Sequence, residues 1–268
     1  FGNRIFQDWK KKGHGSVNLH RALVESCAVY FYHTGSRLGI DTIARFSNMF
    51  GLGHRTQVGL ASEKAGLIPS TEWKRRALRE AWYSGETLSV AIGQGYVLVT
   101  PLQMAVMVSA VANGGVLYPP RFFHKSRDRQ TGVEQVASHE GKPIPVAKET
   151  LDIVRNALAD AVATPHGTAA GSRSALVPFA GKTGTAQVVE IKDRDKRKKL
   201  QGEINDHAWF VSYAPVMNPQ IAVVVLVEHG GHGASAAAPI AKKLIESYLA
   251  PFPVPVAALS PLQQEAVL

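Results

Sequence analysis

Pro178-Phe179-Ala180-Gly181-Lys182-Thr183-Gly184-Thr185-Ala186-Gln187-Val188-Val189 is the stretch on which the reading of this chain turns. An apolar lead-in gives way to a cation and a hydroxyl, then a residue without a side chain, a second hydroxyl and more strand formers. As an edge strand it presents Lys182, the gap at Gly184 and the backbone N–H of Thr185 to whatever lies beside it. Gly184 permits close approach of another backbone or a ligand. An ordinary edge strand with a solvated lysine fits the same residues, so the surrounding chain has to decide.

Downstream the pattern stays extended. Ala208-Trp209-Phe210-Val211-Ser212-Tyr213-Ala214 and Ile221 to Val227 are strand-like, and the short Pro215 to Pro219 linker suits antiparallel neighbours. Glu228-His229-Gly230-Gly231-His232-Gly233 then leads into an amphipathic helix, Ala236 to Leu249. Its two histidines invite a metal reading, but the three glycines beside them favour a turn.

Upstream the chain is helical. Asn18 can cap a helix through Leu19, Leu23, Ser26 and Tyr30 that stops at Gly35, which puts the Ser26 hydroxyl on the buried face. The plain alternative is a core serine bonded to the carbonyl one turn back. Further helices are expected from Asp41 to Phe50, Thr71 to Trp82 (capped by Ser70), Pro101 to Ala112 (capped by Thr100) and Leu151 to Val162. The Pro101 helix is apolar nearly all round and reads as the central buried one. Residues 119–147 read as a surface excursion or hairpin. Helices followed by a strand meander and a closing helix define an α+β class, an antiparallel sheet flanked by helices. The expected division is one domain over residues 1–250 and a Pro-rich tail over 251–268.

With 268 residues, 45% of them hydrophobic, a large core is available. One cysteine excludes an internal disulfide, and the longest apolar run, Ile221 to Val227, is too short to cross a bilayer. The net charge of +9 calls for an anionic neighbour. The basic run Lys192 to Lys199 has no interleaved aromatics, which argues for a solvated loop and against nucleic acid.

Ser26-Cys27-Ala28-Val29-Tyr30, Gly93-Gln94-Gly95-Tyr96 before Thr100-Pro101-Leu102-Gln103, Gly181-Lys182-Thr183-Gly184-Thr185-Ala186-Gln187 and His229-Gly230-Gly231-His232-Gly233 occur together and in order. This set resembles the transpeptidase domain of class B penicillin-binding proteins, nearest the elongation-specific members of rod-shaped bacteria. The likeness runs from about Phe6 to Leu249. It implies a peptidoglycan cross-linking site on the periplasmic face of the bacterial inner membrane. There a serine attacks a D-alanyl-D-alanine stem peptide, and β-lactams acylate the same serine. Ser26 matches the serine that relays the proton to the leaving nitrogen, and Lys182 the cation that holds the proton network and attracts the substrate carboxylate. Thr183, Gly184 and Thr185 match the substrate-binding residues, with the Thr185 N–H as half of an oxyanion hole. A membrane glycosyltransferase and other elongation-complex proteins are the implied partners, and nucleic acid is not one. The rivals are a β-lactamase or D,D-carboxypeptidase on the same fold, and a non-catalytic scaffold.

Two departures stand out. Position 28 is alanine where the family has Asn or Asp, so it offers a ligand no hydrogen bond. No serine is followed three places on by lysine, the nearest formal match being Thr71 to Lys74. The nucleophile needs such a lysine one helical turn away, so the expectation is that the S-x-x-K element precedes Phe1 and that this chain is the larger, C-terminal part of the domain. Asp8, His14 and Cys27 form a D-x5-H-x12-C spacing, poor evidence by itself because a buried free cysteine packs as a small hydrophobe. The resemblance adds that some members hold zinc beside this serine helix. It implies one structural Zn on Asp8, His14 and Cys27 together with an acid further upstream. The 268-residue polypeptide alone is predicted to be inert to penicillin. Covalent labelling by a fluorescent penicillin, read on a denaturing gel, would contradict this.

Overall fold

The computed structural model describes residues 5–137, 140–187 and 205–250. Six helices come first: α1 (Leu19–Val24), α2 (Ala28–Leu38), α3 (Ile40–Met49), α4 (Thr71–Ala77), α5 (Ser84–Val90) and α6 (Pro101–Ala112). Two small antiparallel pairs follow, β1 (Val116–Leu117) with β4 (Lys142–Pro143), and the hairpin β2 (Lys125–Arg127) with β3 (Glu134–Val136). Helix α7 (Lys148–Ala163) then leads to the main sheet of β5 (Ala180–Ala186), β6 (His207–Ala214) and β7 (Ile221–Val227). A short helix α8 (Gly233–Ala236) and a longer α9 (Ala238–Leu249) close the described chain.

The sheet is antiparallel in the order β5-β6-β7, so β5 and β7 form its two edges among the described residues. Strand alternation sends successive side chains to opposite faces. Ala208, Phe210 and Ala214 of β6 pack with Val223 and Val225 against Ala238, Ala241 and Ile245 of α9. Tyr213 faces the other way, with Ala180, onto Val108 and Ala112 of α6 and Leu158 of α7. The sheet is therefore covered on both faces. Gly233 shows how tightly α8 seats on it: a Cβ there would collide with the carbonyl oxygens of Trp209 and Gly184. The α+β class with helices flanking an antiparallel sheet is what the sequence pattern called for.

Local codes explain several elements. The Thr100 hydroxyl accepts from the Gln103 N–H and the Gln103 side chain accepts from the Thr100 N–H, a reciprocal cap with Pro101 in the first turn. Gln103 is 1% exposed and also donates to the carbonyls of His54 and Ala65, tying the 54–66 loop to α6. Asn18 caps α1 by accepting from the Arg21 N–H at 2.9 Å.

Three expectations need correction. The single helix from Asn18 past Tyr30 is two helices, broken at Glu25-Ser26-Cys27, where Ser26 turns left-handed with φ 55°. Helix α2 runs beyond Gly35 to Leu38. Ser26 therefore sits at the break and not on the face of a continuous helix. Helix α4 ends at Ala77 and not Trp82, because the chain turns at Arg79 (φ 57°) to fold Glu80 and Glu86 onto Lys74. The Lys74 side chain is 1% exposed, and its ammonium lies 2.6 Å from Glu86 and 4.4 Å from the centre of the Tyr83 ring. A helix continued to Trp82 would separate those groups. The basic run 192–199 and the tail 251–268 lie outside the described residues.

Candidate active site

Three elements converge on β5. The break between α1 and α2 delivers Ser26, whose Oγ accepts a hydrogen bond from Lys182 Nζ across 156 residues of chain. The turn after α7 delivers Thr168, whose Oγ1 lies 2.9 Å from that of Thr183. The turn after α5 delivers Gln94, which donates from Nε2 to the Thr185 carbonyl at 2.8 Å and accepts from the Gln187 N–H at 3.3 Å.

The break is built from outside the helices. The Trp9 indole N–H donates to the carbonyls of Glu25 and Ser26, at 3.1 Å each, engaging acceptors that a continuous helix would direct to its next turn. The Asp8 carboxylate accepts from the Val29 N–H at 3.5 Å, in the first turn of α2. A left-handed serine costs of order 1–3 kcal/mol unless its surroundings hold it, and these contacts supply the hold. Below Ser26, Glu25 is buried and bound to Arg21 Nε at 2.5 Å and to Lys10 at 3.5 Å. Its bond to Arg21 and the nearby cations keep its carboxyl below the usual range, against the opposing effect of burial.

Lys182 also reaches the Thr183 carbonyl at 3.0 Å. Among the described residues no carboxylate pairs with it; its neighbours are neutral oxygens. Loss of water around the ammonium lowers its pKa from 10.5 to about 8. The lysine is thereby poised to exchange a proton with a neighbouring hydroxyl near neutral pH.

Asp8, His14 and Cys27 also come together, their donor atoms all within 4.8 Å of one another. His14 Nδ1 lies 3.1 Å from the Asp8 carboxylate, and its buried Nε2 has no hydrogen-bond partner. Burial pushes the Cys27 thiol pKa up, and the Asp8 carboxylate adds to that. Burial also works to raise the Asp8 pKa. The N–H groups of Lys10 and Val29, the Cys27 thiol and His14 outweigh it and leave Asp8 below its usual range. His229 takes the turn geometry and His232 caps α8: the His229 N–H donates to His207 Nδ1 at 3.0 Å, and its ring nitrogen lies 3.0 Å from the Asn205 carbonyl.

Every site residue expected from the sequence thus falls in one of two adjoining clusters, Ser26 with Lys182, Thr183, Gly184 and Thr185, and Asp8 with His14 and Cys27. Thr168, Gln94 and Trp9 were not expected. Thr168 carried one signal, because Gly167-Thr168-Ala169 repeats the Gly184-Thr185-Ala186 of β5.

The chain belongs to the penicillin-binding proteins, by their transpeptidase domain: the family description "Penicillin binding protein transpeptidase domain" matches residues 2–246. Within that family it is similar to the peptidoglycan D,D-transpeptidase MrdA of Acinetobacter baumannii, 39% identical over 91% of this chain and 36% of the relative. It is similar in structure to Pseudomonas aeruginosa PBP2 in complex with WCK 5153, with TM-score 0.76, 34% identity, and coverage of 93% of this chain and 51% of that one. Helicobacter pylori PBP2, solved in complex with MreC, gives TM-score 0.76 and 30% identity over 93% of this chain and 44% of that one. The chain spans 36–40% of the length of the first curated relatives it matches.

Folding lowers the pKa of a cation here, so the folded state bears a penalty that is full below about 8 and fades as pH rises to 10.5. The stability of the wild type relative to Lys182→Met is therefore expected to improve with pH across that window. Urea titrations of both at about pH 7 and about pH 9.5 measure it, and an unchanged difference would mean that the ammonium keeps its water.

Proposed function

We propose that this chain forms the carboxylate-reading and proton-handling part of a peptidoglycan D,D-transpeptidase that works in cell elongation. The observation that carries this reading is the Ser26–Lys182 contact on the edge of β5. The acyl donor is a stem peptide ending in D-alanyl-D-alanine. A serine hydroxyl attacks its penultimate carbonyl and gives up a proton, a C–O bond forms, and the peptide C–N bond breaks. The leaving D-alanine nitrogen takes a proton through Ser26 and Lys182. An amine of a neighbouring stem peptide then attacks the ester, forms the cross-link and returns the serine. β-Lactams enter by the same first step and stay attached.

Each residue has a role in that scheme. Ser26 relays the proton; Lys182, poised near neutrality, holds it and draws the substrate carboxylate. The hydroxyls of Thr183 and Thr185 bind that carboxylate, Gly184 leaves room for it, and the Thr185 N–H stabilises the developing oxyanion. Loss of one such donor typically costs about 3–4 kcal/mol. The 268 residues hold no S-x-x-K, so the attacking serine is assigned to a part of the protein outside them. Ala28 gives a ligand backbone nothing to bond, which leaves more of its recognition to β5. The likeness to a PBP2 solved with MreC supports partners in an elongation complex, and the activity supports a place at the inner membrane with this domain on the periplasmic face.

The Asp8, His14 and Cys27 cluster fits a structural Zn²⁺. A thiol, an imidazole and a carboxylate are its usual donors, and the donor atoms of these three side chains all lie within 4.8 Å of one another. A bound cation there would tie Asp8 and His14 to Cys27, the residue next to Ser26 at the start of α2. Binding must also expel the Cys27 proton, so affinity falls in acid.

In the complete protein, Ser26→Ala and Lys182→Ala are each expected to slow acylation by a fluorescent penicillin by roughly a hundredfold or more, with the fold retained by circular dichroism. Full-rate labelling of both variants would reject these roles, and a complete wild-type protein that never labels would favour the scaffold reading. Elemental analysis is expected to find about one zinc per chain, lost in His14→Ala with a lower melting temperature. Zinc-free protein purified without chelator would remove the metal from the account.

A further inference from the structure

Gln94 makes a contact that the proton relay does not use. Its carboxamide donates to the Thr185 carbonyl and accepts from the Gln187 N–H, the two backbone groups that flank Ala186. One side-chain amide bridging a carbonyl and the N–H two residues on fills the two places that one residue of an added parallel strand would take with its own N–H and C=O. Strand β6 already holds one edge of β5 through seven consecutive register pairs, Ala180↔Tyr213 to Ala186↔His207. The side chain of Gln94 thus stands in for a neighbour on the strand that carries Lys182.

The turn beneath it is firm. Gly93 and Gly95, both left-handed at φ 75° and 73°, flank Gln94, and its own N–H donates to the Ser89 carbonyl at 3.0 Å. Tyr96, next in sequence, packs on Trp73 at 5.1 Å and Trp82 at 6.4 Å between ring centres. The carboxamide can swing on its side-chain torsions while the backbone stays put.

We propose that Gln94 is a specificity-determining gate: its carboxamide holds the Thr185 carbonyl, the acceptor that the N–H of an extended ligand amide would use, and only ligands carrying such an N–H have to displace it. The inference rests on the acylating function proposed above. A ligand that bonds only Lys182 and the threonine hydroxyls leaves Gln94 in place. One with an acylamino arm lying along β5 competes with it. Gln94 therefore sets how much of the ligand's own hydrogen bonding is realised as affinity, a term of about one hydrogen bond or about fivefold.

The test compares two β-lactams on the complete protein, benzylpenicillin, which has an acylamino arm, and penicillanic acid, which carries no nitrogen substituent there. Second-order acylation constants are measured for wild type, Gln94→Ala and Gln94→Glu. The glutamate variant keeps the side chain's shape and its acceptor but cannot donate to Thr185, and it decides the matter if Gln94→Ala fails to fold. The expected result is a rise of about fivefold for benzylpenicillin, with the constant for penicillanic acid unchanged. Equal constants in all three proteins overturn the gate while leaving the acylating function intact. A loss for both ligands also overturns it and makes Gln94 a positioning residue. Absence of acylation in the wild type overturns the function and the gate together.

Discussion

Everything at this site depends on one backbone conformation, the left-handed turn at Ser26. A helix running through that position would place the hydroxyl on the helix flank, directed by neighbouring turns. The break lifts it out between α1 and α2, where Lys182 can reach it. The conformation is unfavourable for a serine and is held by groups distant in sequence, the Trp9 indole on the carbonyls of Glu25 and Ser26 and the Asp8 carboxylate near the start of α2. Residues 8–9 are thus as much a part of the site as Ser26 itself. The Asp8, His14 and Cys27 cluster braces the same turn, which is why a structural feature and a chemical one lie side by side here.

The sheet supplies the other half of the constraint. Lys182 stays in register because β5 pairs along its length with β6, and β6 is locked by Phe210 on one face and Tyr213 on the other. Gly184 sits under α8, where Gly233 comes so close that any side chain would collide. The strand therefore has little freedom to shift, and the lysine loses water without gaining a counter-charge among the described residues. Burial against this frame lowers the Lys182 pKa from 10.5 to about 8.

What could be read from the sequence was what is encoded locally. Thr100-Pro101 and Gln103 write the start of α6 in four residues, and the alternation of Ala208 to Ala214 and Ile221 to Val227 writes the hairpin. The Ser26 break could not be read, because the helical spacing of Leu19, Leu23, Ser26 and Tyr30 continues straight through it. Its causes lie 16 or more residues away in a tryptophan and an aspartate. The end of α4 was hidden for the same reason, since it is set by an ion pair between Lys74 and Glu86. Asp8, His14 and Cys27 show no meaningful periodicity along the chain and make sense only once the turn brings them together. Gln94 was visible as part of a Gly-Gln-Gly turn, but its two bonds to β5 span more than 90 residues and belong to tertiary structure.

The two margins of the sheet differ in kind. At β5 the outer side is met by side chains from Ser26, Thr168 and Gln94. At β7 the run Ile221 to Val227 is aliphatic throughout, and its outer row of peptide groups meets no strand among the described residues. Such a border accepts further strands readily. The reacting margin at β5 and the unpaired margin at β7 are thus separated by the width of the sheet.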